Sequence, residues 1–171
     1  LKHGARAKDF EIAIQWLVDA GLVHKVPLCK EVKLPLKVYE DPTAFKLFTL
    51  DLGLLGAMVG TEAKQVLIKN DIFSEYKGGM TEQYVLEEMK SNGEENIFYH
   101  KSDDGTRLEI DFMIQRDGRL LPIEVKAEGN VRANSLSNLL KQTPELHAFR
   151  YSMKPYIEQE QMTCYPLYAI Q

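Results

Sequence analysis

The chain has 171 residues, 44% of them hydrophobic, which is enough to bury a core for one domain together with a small accessory segment. Its 21 basic and 25 acidic residues give a net charge of -4, which argues against the broad basic surface that most nucleic-acid-binding proteins carry. The two cysteines, Cys29 and Cys164, are far apart and belong to no Cys/His cluster, so the sequence argues against a zinc site and favours a reducing, cytoplasmic location.

The first predicted elements are a helix and a basic hairpin. A β-prone segment at 22–26 and a basic segment at 30–37 follow Gly21, which is predicted to end the helix. Helix, glycine and basic hairpin in this order are similar to the last helix and wing of a winged helix-turn-helix, so we interpret residues 1–40 as a winged-helix remnant. The alternative is a helix and hairpin that only pack against the neighbouring domain.

Two acids in the next part of the chain lie in apolar surroundings. Asp51 interrupts the apolar segment 45–56 where a strand is predicted to turn into a helix, and we interpret it as a helix cap rather than a catalytic group. Glu82 lies on the apolar stripe of its own predicted helix, because three apolar residues follow it by three, four and seven positions: Val85, Leu86 and Met89.

A carboxylate on an apolar helix face is costly unless it is paired or bound to a metal, which makes Glu82 a candidate site residue. The alternative is a glutamate that caps the start of the helix. On the same helix, Glu87 and Glu88 are predicted to reach solvent.

The strongest pattern in the sequence is a hairpin over residues 107–126, which read RLEIDFMIQRDGRLLPIEVK. Two runs of alternating apolar and polar residues flank Asp117-Gly118, a pair that favours a two-residue turn because both residues tolerate positive φ. The apolar set of the first run is predicted to share one strand face: Leu108, Ile110, Phe112 and Ile114. The corresponding set of the second run is Leu121, Ile123, Val125 and Ala127.

Three charged residues are predicted to meet on the opposite face of this hairpin. If the two apolar sets share a side, Asp111 of the first strand projects beside Glu124 and Lys126 of the second. Two carboxylates can bind a hard cation such as Mg²⁺ or Mn²⁺, and a lysine beside them can orient a water or stabilise a phosphate. This combination of groups suits metal-assisted phosphodiester hydrolysis. Glu109, by contrast, is expected to point away from Asp111 or to lie at a strand edge.

Shorter patterns complete the order of elements. Residues 97–100 are predicted to form a strand before the hairpin, and residues 146–151 a strand near the end of the chain. Between them, three leucines at helical spacing predict a helix: Leu136, Leu139 and Leu140. From residue 80 the predicted order is therefore helix, strand, strand, strand, helix, strand, the order of an α/β domain.

The spacing of Asp111, Glu124 and Lys126 resembles that of the PD-(D/E)XK nuclease-like superfamily, and the predicted order resembles its restriction-endonuclease-like αβββαβ core. The resemblance implies that Asp111 is the first acid, that Glu124 and Lys126 form the E-x-K element, and that Glu82 is an additional acid on the first helix. It further implies that Asp111, Glu124 and Glu82 bind Mg or Mn, and that all four residues are catalytic.

The chain as a whole resembles a C-terminal domain of unknown function that follows an AAA-type ATPase module in bacterial and archaeal proteins. The segments that carry this resemblance are residues 46–55, 79–85, 109–112, 122–126 and 166–170. It implies a partial winged helix at 1–40, a nuclease-like domain at 41–171, and an N-terminal ATPase domain absent from this chain, which begins with Leu1. Because no GxxxxGK[ST] motif occurs in the sequence, ATP is expected to bind only to that absent domain.

The first functional hypothesis is a magnesium- or manganese-dependent nuclease domain that acts on nucleic acid, with DNA as the preferred choice. The second is a catalytically inactive module that binds DNA or protein and tethers the ATPase, which the acidic charge of residues 47–171 favours. The third is a buried salt-bridge network formed by the four candidate residues. Nucleic acid and the protein's own ATPase domain are the expected partners rather than a membrane. The sequence leaves the choice of DNA or RNA and the oligomeric state open.

Overall fold

Helices and strands are mixed along the chain in a computed structural model, which describes residues 10–59, 74–102, 108–127 and 134–170. The helices are α1 (Glu11–Asp19), α2 (Leu52–Val59), α3 (Ser74–Ser91) and α4 (Asn134–Gln142). The strands are β1 (Val23–Cys29), β2 (Glu40–Thr49), β3 (Phe98–Lys101), β4 (Glu109–Arg116), β5 (Arg119–Lys126), β6 (Ala148–Ser152), β7 (Ile157–Gln159) and β8 (Met162–Pro166). Short 3-10 helices lie at Leu36–Tyr39 and Leu167–Ala169.

These strands form one mixed sheet in the order β2-β1-β3-β4-β5-β6-β8-β7. Strand β4 is antiparallel to β3 and to β5, whereas β6 is parallel to β5 and to β8. From α3 onward the elements run helix, strand, strand, strand, helix, strand, so the predicted order is confirmed. Strands β7 and β8, which continue the sheet beyond β6, were not predicted.

The N-terminal hairpin extends the same sheet. Strand β1 pairs antiparallel with β2 and parallel with β3, which joins the hairpin to the rest of the strands. The predicted domain boundary between residues 40 and 41 falls at the first residue of β2. Gly21, with a φ of 70°, ends α1 as predicted, because the N–H groups of Gly21 and Leu22 donate to the carbonyls of Val18 and Leu17. The winged-helix interpretation stays a prediction.

Two hydrophobic clusters cover the sheet. The α4 cluster consists of Cys29, Leu36, Phe98, Leu108, Ile110, Met113, Leu120, Leu136, Leu139, Leu140, Ala148, Met162 and Cys164. The α3 cluster consists of Val26, Leu28, Phe48, Val85, Leu86, Met89, Ile97, Tyr99, Phe112, Ile114, Ile123, Val125 and Tyr151. Because successive strand residues alternate between these clusters, the sheet lies between α3 and α4. The apolar stripes predicted for both helices are confirmed.

The apolar set predicted for β4 is divided between the two clusters, so the prediction of a single face is wrong. Leu108 and Ile110 belong to the α4 cluster, while Phe112 and Ile114 belong to the α3 cluster. The cause is a register shift: Ile110 pairs with His100, and Met113 pairs with Phe98, so three residues of β4 span two of β3. An extra residue of this kind reverses the side-chain alternation that follows it.

The turn between β4 and β5 forms as the Asp-Gly pair predicts. Asp117 has a φ of 51° and Gly118 a φ of 70°, and Arg116 pairs with Arg119 across them. Positive φ at both central residues gives the turn a twist that matches the flanking strands. The hairpin prediction is therefore confirmed, and with it the proximity of the two strands that carry Asp111 and Glu124.

Two carboxylates cap the start of α2. Asp51 Oδ1 accepts a hydrogen bond from Leu54 N–H at 2.7 Å, so the capping interpretation of Asp51 is confirmed. Glu87 Oε2 accepts a bond from Leu52 N–H at 3.2 Å. Glu87, which was predicted to be able to reach solvent, is half-buried, because α2 packs beside its helix and presents this N–H group to it.

A buried glutamine that the sequence analysis did not identify ties α3 to β2. Gln83 is 2% exposed; its Oε1 accepts bonds from Thr49 N–H at 3.0 Å and Thr49 Oγ1 at 3.1 Å, and its Nε2 donates to Thr49 O at 2.8 Å. We expect Gln83→Ala to lower the free energy of unfolding by about 3 kcal/mol, because it leaves buried backbone groups unpaired. Urea denaturation checks this, with Gln142→Ala on the exposed end of α4 as control. Equal losses in both variants would contradict the expectation.

Both cysteines are buried and unpaired. None of the helices within the described ranges is long and apolar enough to cross a membrane.

Candidate functional site

Asp111 lies where strands β4 and β5 stop pairing. The paired residues run from Arg116 and Arg119 at the turn to Phe112 and Ile123, and Asp111 is the next residue of β4. Its Oδ2 accepts a hydrogen bond from Val125 N–H at 2.8 Å, so a side-chain oxygen takes the position of a backbone acceptor. In a regular ladder the Asp111 side chain would project from one face of the sheet. Here its carboxylate instead lies at the open end of the hairpin, between the two strands.

Glu124 and Lys126 flank this opening from β5. Lys126 Nζ forms an ion pair with Glu124 Oε1, and the Lys126 side chain is 29% exposed, whereas that of Glu124 is 5% exposed. Strand alternation places Glu124 and Lys126 with Leu120 on the side of the α4 cluster, whereas Asp111 lies inside the bulge between Ile110 and Met113, where alternation does not assign its face. Burial first, and the charge of Asp111 second, raise the pKa of Glu124, so these two carboxyl groups lie near each other, while the prediction that all three side chains share one face stays a prediction.

Burial raises the pKa of both carboxyl groups, and repulsion by the neighbouring acid adds to the increase at Glu124. Burial raises the pKa of Glu124, and the nearby charge of Asp111 raises it further. Burial also raises the pKa of Asp111, while the bond from Val125 N–H and the charge of Lys126 oppose that increase. Both carboxyl groups are therefore harder to ionise than usual. A cation bound between them would stabilise their charged forms.

Glu82 reaches this region from the middle of α3. The helix begins at Ser74, eight positions before Glu82, so the alternative of a capping glutamate is wrong. Burial first, and the charge of Asp111 second, raise the pKa of Glu82 to about 7. Its partner is Lys46 of β2, whose Nζ lies 3.7 Å from Glu82 Oε2. At neutral pH Glu82 is thus divided between its acid and carboxylate forms.

Lys46 also forms an ion pair with Glu109, the first residue of β4, and the expectation that Glu109 points away from Asp111 or lies at a strand edge stays a prediction. Lys46 Nζ lies 2.9 Å from Glu109 Oε1 and 5.1 Å from the centre of the Tyr99 ring. Burial lowers the pKa of Lys46, but the charges of Glu82 and Glu109 outweigh it and the net shift is upward. Sequence reasoning missed Lys46, whose one signal is a lysine within an otherwise apolar segment. The ion pairs of the candidate site therefore form two groups. One joins Lys126 to Glu124, and the other joins Lys46 to Glu82 and Glu109.

The donor chemistry suits a hard divalent cation held by two carboxylates. Among the described residues, no three His, Cys, Asp or Glu side chains are placed to hold one metal ion together. Mg²⁺ commonly uses one or two carboxylates and completes its shell with water and substrate oxygens. The hydrogen bond to Asp111 and the ion pair of Glu124 engage Oδ2 and Oε1, so each carboxylate keeps a second oxygen for a cation. Asp111 and Glu124 each provide one such carboxylate.

A separate cavity of about 920 Å³ lies at the turn end of the hairpin. Its lining includes Lys33, Arg116, Arg119 and His147, and none of the four candidate residues. The carboxylates lie at the opposite, open end of the same two strands. The candidate site is thus defined by its charged groups rather than by this cavity.

Comparison with known protein families gives two matches. Residues 77–169 match a domain of unknown function, DUF4143, and residues 1–65 match another domain of unknown function, DUF8612. The first match contains all four candidate residues, and the second contains α1, β1, β2 and α2. No curated protein and no solved structure matches the chain.

Proposed function

Because the chain belongs to the DUF4143 family of domains of unknown function, which matches residues 77–169, we propose an activity from the chemistry of its site. The proposed activity is hydrolysis of phosphodiester bonds of nucleic acid, preferentially DNA, with a divalent metal. One observation carries this proposal. Glu124, which is buried, and Asp111 carry acidic groups at the opening of one hairpin, beside the Lys126 ammonium. Metal-assisted hydrolysis needs this combination of carboxylates and a cationic side chain.

The sheet supports the assignment of a PD-(D/E)XK-like core. Three antiparallel strands, β3, β4 and β5, lie between α3 and α4 in the sequence, and β6 then pairs parallel with β5. We assign these elements to the αβββαβ core, with Asp111 on its second strand and Glu124 and Lys126 on its third. By the same proposal, α1, β1 and β2 are a partial winged helix.

Each candidate residue has a distinct role in the proposed reaction. Asp111 and Glu124 would hold Mg²⁺ or Mn²⁺, and the bound metal would supply a more acidic water and neutralise charge on the phosphate. Lys126, kept in place by its ion pair with Glu124, orients the attacking water or stabilises the negative charge that develops. Glu82, with a pKa of about 7, can take up a proton near neutral pH, or would hold the metal through a water.

DUF4143 domains are typically found C-terminal to AAA ATPase modules. We propose that an ATPase domain of this kind precedes the chain in its full-length protein and binds the ATP. The nuclease-like domain would then act on nucleic acid that the ATPase engages. Cleavage by the intact protein is expected to depend on ATP only if the ATPase delivers the substrate.

Isothermal titration with manganese tests the metal site. We expect Mn²⁺ to bind the wild-type chain and to bind Glu124→Gln at least tenfold more weakly, because the variant loses a charged oxygen ligand. The matched control is Glu158→Gln, which makes the same change at an exposed residue of the edge strand β7. Wild-type affinity in Glu124→Gln would contradict the assignment.

Thermal unfolding provides a second measurement on the same proteins. At a metal concentration about 100 times Kd, we expect the wild-type melting temperature to rise by roughly 5–10 °C, because the cation relieves repulsion between Asp111 and Glu124. The increase should be small in Glu124→Gln and unchanged in Glu158→Gln. No increase in the wild type at millimolar metal would favour a purely structural network of ion pairs.

A second candidate function is a catalytically inactive module that binds DNA or protein. The observation that favours it is on α1, where Ile12 and Trp16, four residues apart, are 76% and 73% exposed. Large apolar side chains at this spacing form one helix face of the kind that docks on another protein. Absence of metal binding in the titration, together with loss of partner binding in Trp16→Ala, would select this function over hydrolysis.

A further inference from the structure

Arg150 of β6 lies beside the candidate site without a complete set of partners. The parallel pairing of β5 with β6 sets Arg150 opposite Glu124. Strand alternation places Arg150 with Ala148 on the side of the α4 cluster, the side that also carries Glu124 and Lys126. Arg150 is 7% exposed, and its Nε is buried without a hydrogen-bond partner among the described residues.

A buried guanidinium in this state needs an explanation. Arginine stays charged at all ordinary pH values and carries five N–H donors, and an unsatisfied charged donor is costly to bury. The acid opposite Arg150 in the strand pairing, Glu124, already forms an ion pair with Lys126. The residues next to Arg150 on the same face of β6 are Ala148 and Ser152, and its pairing partner on β8 is Cys164. None of these three provides a negative charge.

We propose that Arg150 binds the phosphate group that the site acts on, with its guanidinium donating to non-bridging phosphate oxygens. This inference rests on the proposed function, because it names the group that holds the substrate beside the metal. A planar guanidinium can donate two parallel hydrogen bonds to one phosphate, which an ammonium cannot do. Arg150 also supplies permanent positive charge where Asp111 and Glu124 would otherwise repel the substrate. Its neighbour Lys126 remains available for the water.

The competing explanation makes Arg150 a structural counter-charge for Glu124. In that case Arg150 would influence folding and the ionisation of Glu124, but it would make no contact with an added anion. The two explanations therefore differ in what happens at the Arg150 Nε–H group when phosphate is added. A phosphate contact satisfies that donor and changes its magnetic environment, whereas a structural role does not.

The test follows the arginine Nε–H signals by 15N-edited NMR during titration with inorganic phosphate. Titrations are made with magnesium and, in parallel, with EDTA, at constant ionic strength with chloride. We expect the Arg150 signal to shift on phosphate addition and chloride to have no such effect. Arg150→Lys keeps the charge but loses the guanidinium, so phosphate affinity should fall roughly ten- to hundredfold. Arg119→Lys, at the turn of the same hairpin, is the matched control and should retain wild-type affinity.

An unshifted Arg150 signal in both buffers, or equal phosphate affinity in wild type and Arg150→Lys, would overturn the inference. The wild-type signal reports on the contact directly, so the result holds even if the variant folds poorly. Manganese titration separates this inference from the proposed function. Metal binding without a phosphate response at Arg150 would contradict only the phosphate-binding role of Arg150. If the chain binds no metal but shows a phosphate response that Arg150→Lys abolishes, the anion site is supported and metal-dependent hydrolysis is contradicted.

Discussion

Asp111→Asn and Lys126→Met are each expected to reduce metal-dependent phosphodiester cleavage by at least about a hundredfold, the largest effects that the site predicts. Asparagine retains an oxygen that can accept the bond from Val125 N–H, so Asp111→Asn removes a charged ligand while preserving the opening of the hairpin. Lys126→Met keeps the length of the aliphatic chain and removes the ammonium beside Glu124. Neither change creates a large cavity, and both variants should remain folded.

Cleavage of linear, circular and single-stranded DNA and of RNA, measured with Mn²⁺ and with EDTA, checks these expectations. Glu158→Gln and Lys154→Met make comparable charge changes at exposed residues and should keep wild-type activity. Circular dichroism and melting curves establish that each variant is folded. Equal cleavage by the wild type and both site variants would mean that the assignment is wrong, because such activity would come from elsewhere.

Local patterns were sufficient to predict the elements that build the site. The Asp117-Gly118 turn, the leucines of α4 and the stripe of α3 depend on residues within a few positions of one another, and each formed as predicted. The proximity of Asp111 to Glu124 then follows from one hairpin, since a two-residue turn fixes the register of its strands.

Features that depend on distant partners were not predictable in the same way. The bulge between Ile110 and Met113 arises from the pairing with β3, and nothing in β4 alone specifies it. Lys46 and Glu109 are 63 positions apart in the sequence, so only the complete sheet brings their charges together. Arg150 likewise lies opposite Glu124 only because β6 pairs parallel with β5, and the sequence does not specify that pairing.

Glu82→Gln is expected to stabilise the metal-free protein at neutral and alkaline pH. Glu82 has an ordinary pKa of 4.5 and a pKa of about 7 in the folded protein. Between these values the folded state keeps a proton that the unfolded state releases, so the contribution of Glu82 lowers the free energy of unfolding as pH rises. The full difference corresponds to up to about 3 kcal/mol. Glutamine cannot ionise, so the variant escapes this loss.

Urea denaturation of wild type and Glu82→Gln in EDTA, from about pH 4 to about pH 8, measures the difference. The two free energies of unfolding should converge near the ordinary pKa of 4.5 and separate as pH rises to about 7, with the variant more stable. Lys46 opposes this trend, because ionised Glu82 gains its ion pair, while Asp111 and Glu109 reinforce it by repulsion. A wild type that is more stable than Glu82→Gln at about pH 8 would mean that the Lys46 pair outweighs burial, and that Glu82 is ionised at neutral pH rather than ready to accept a proton.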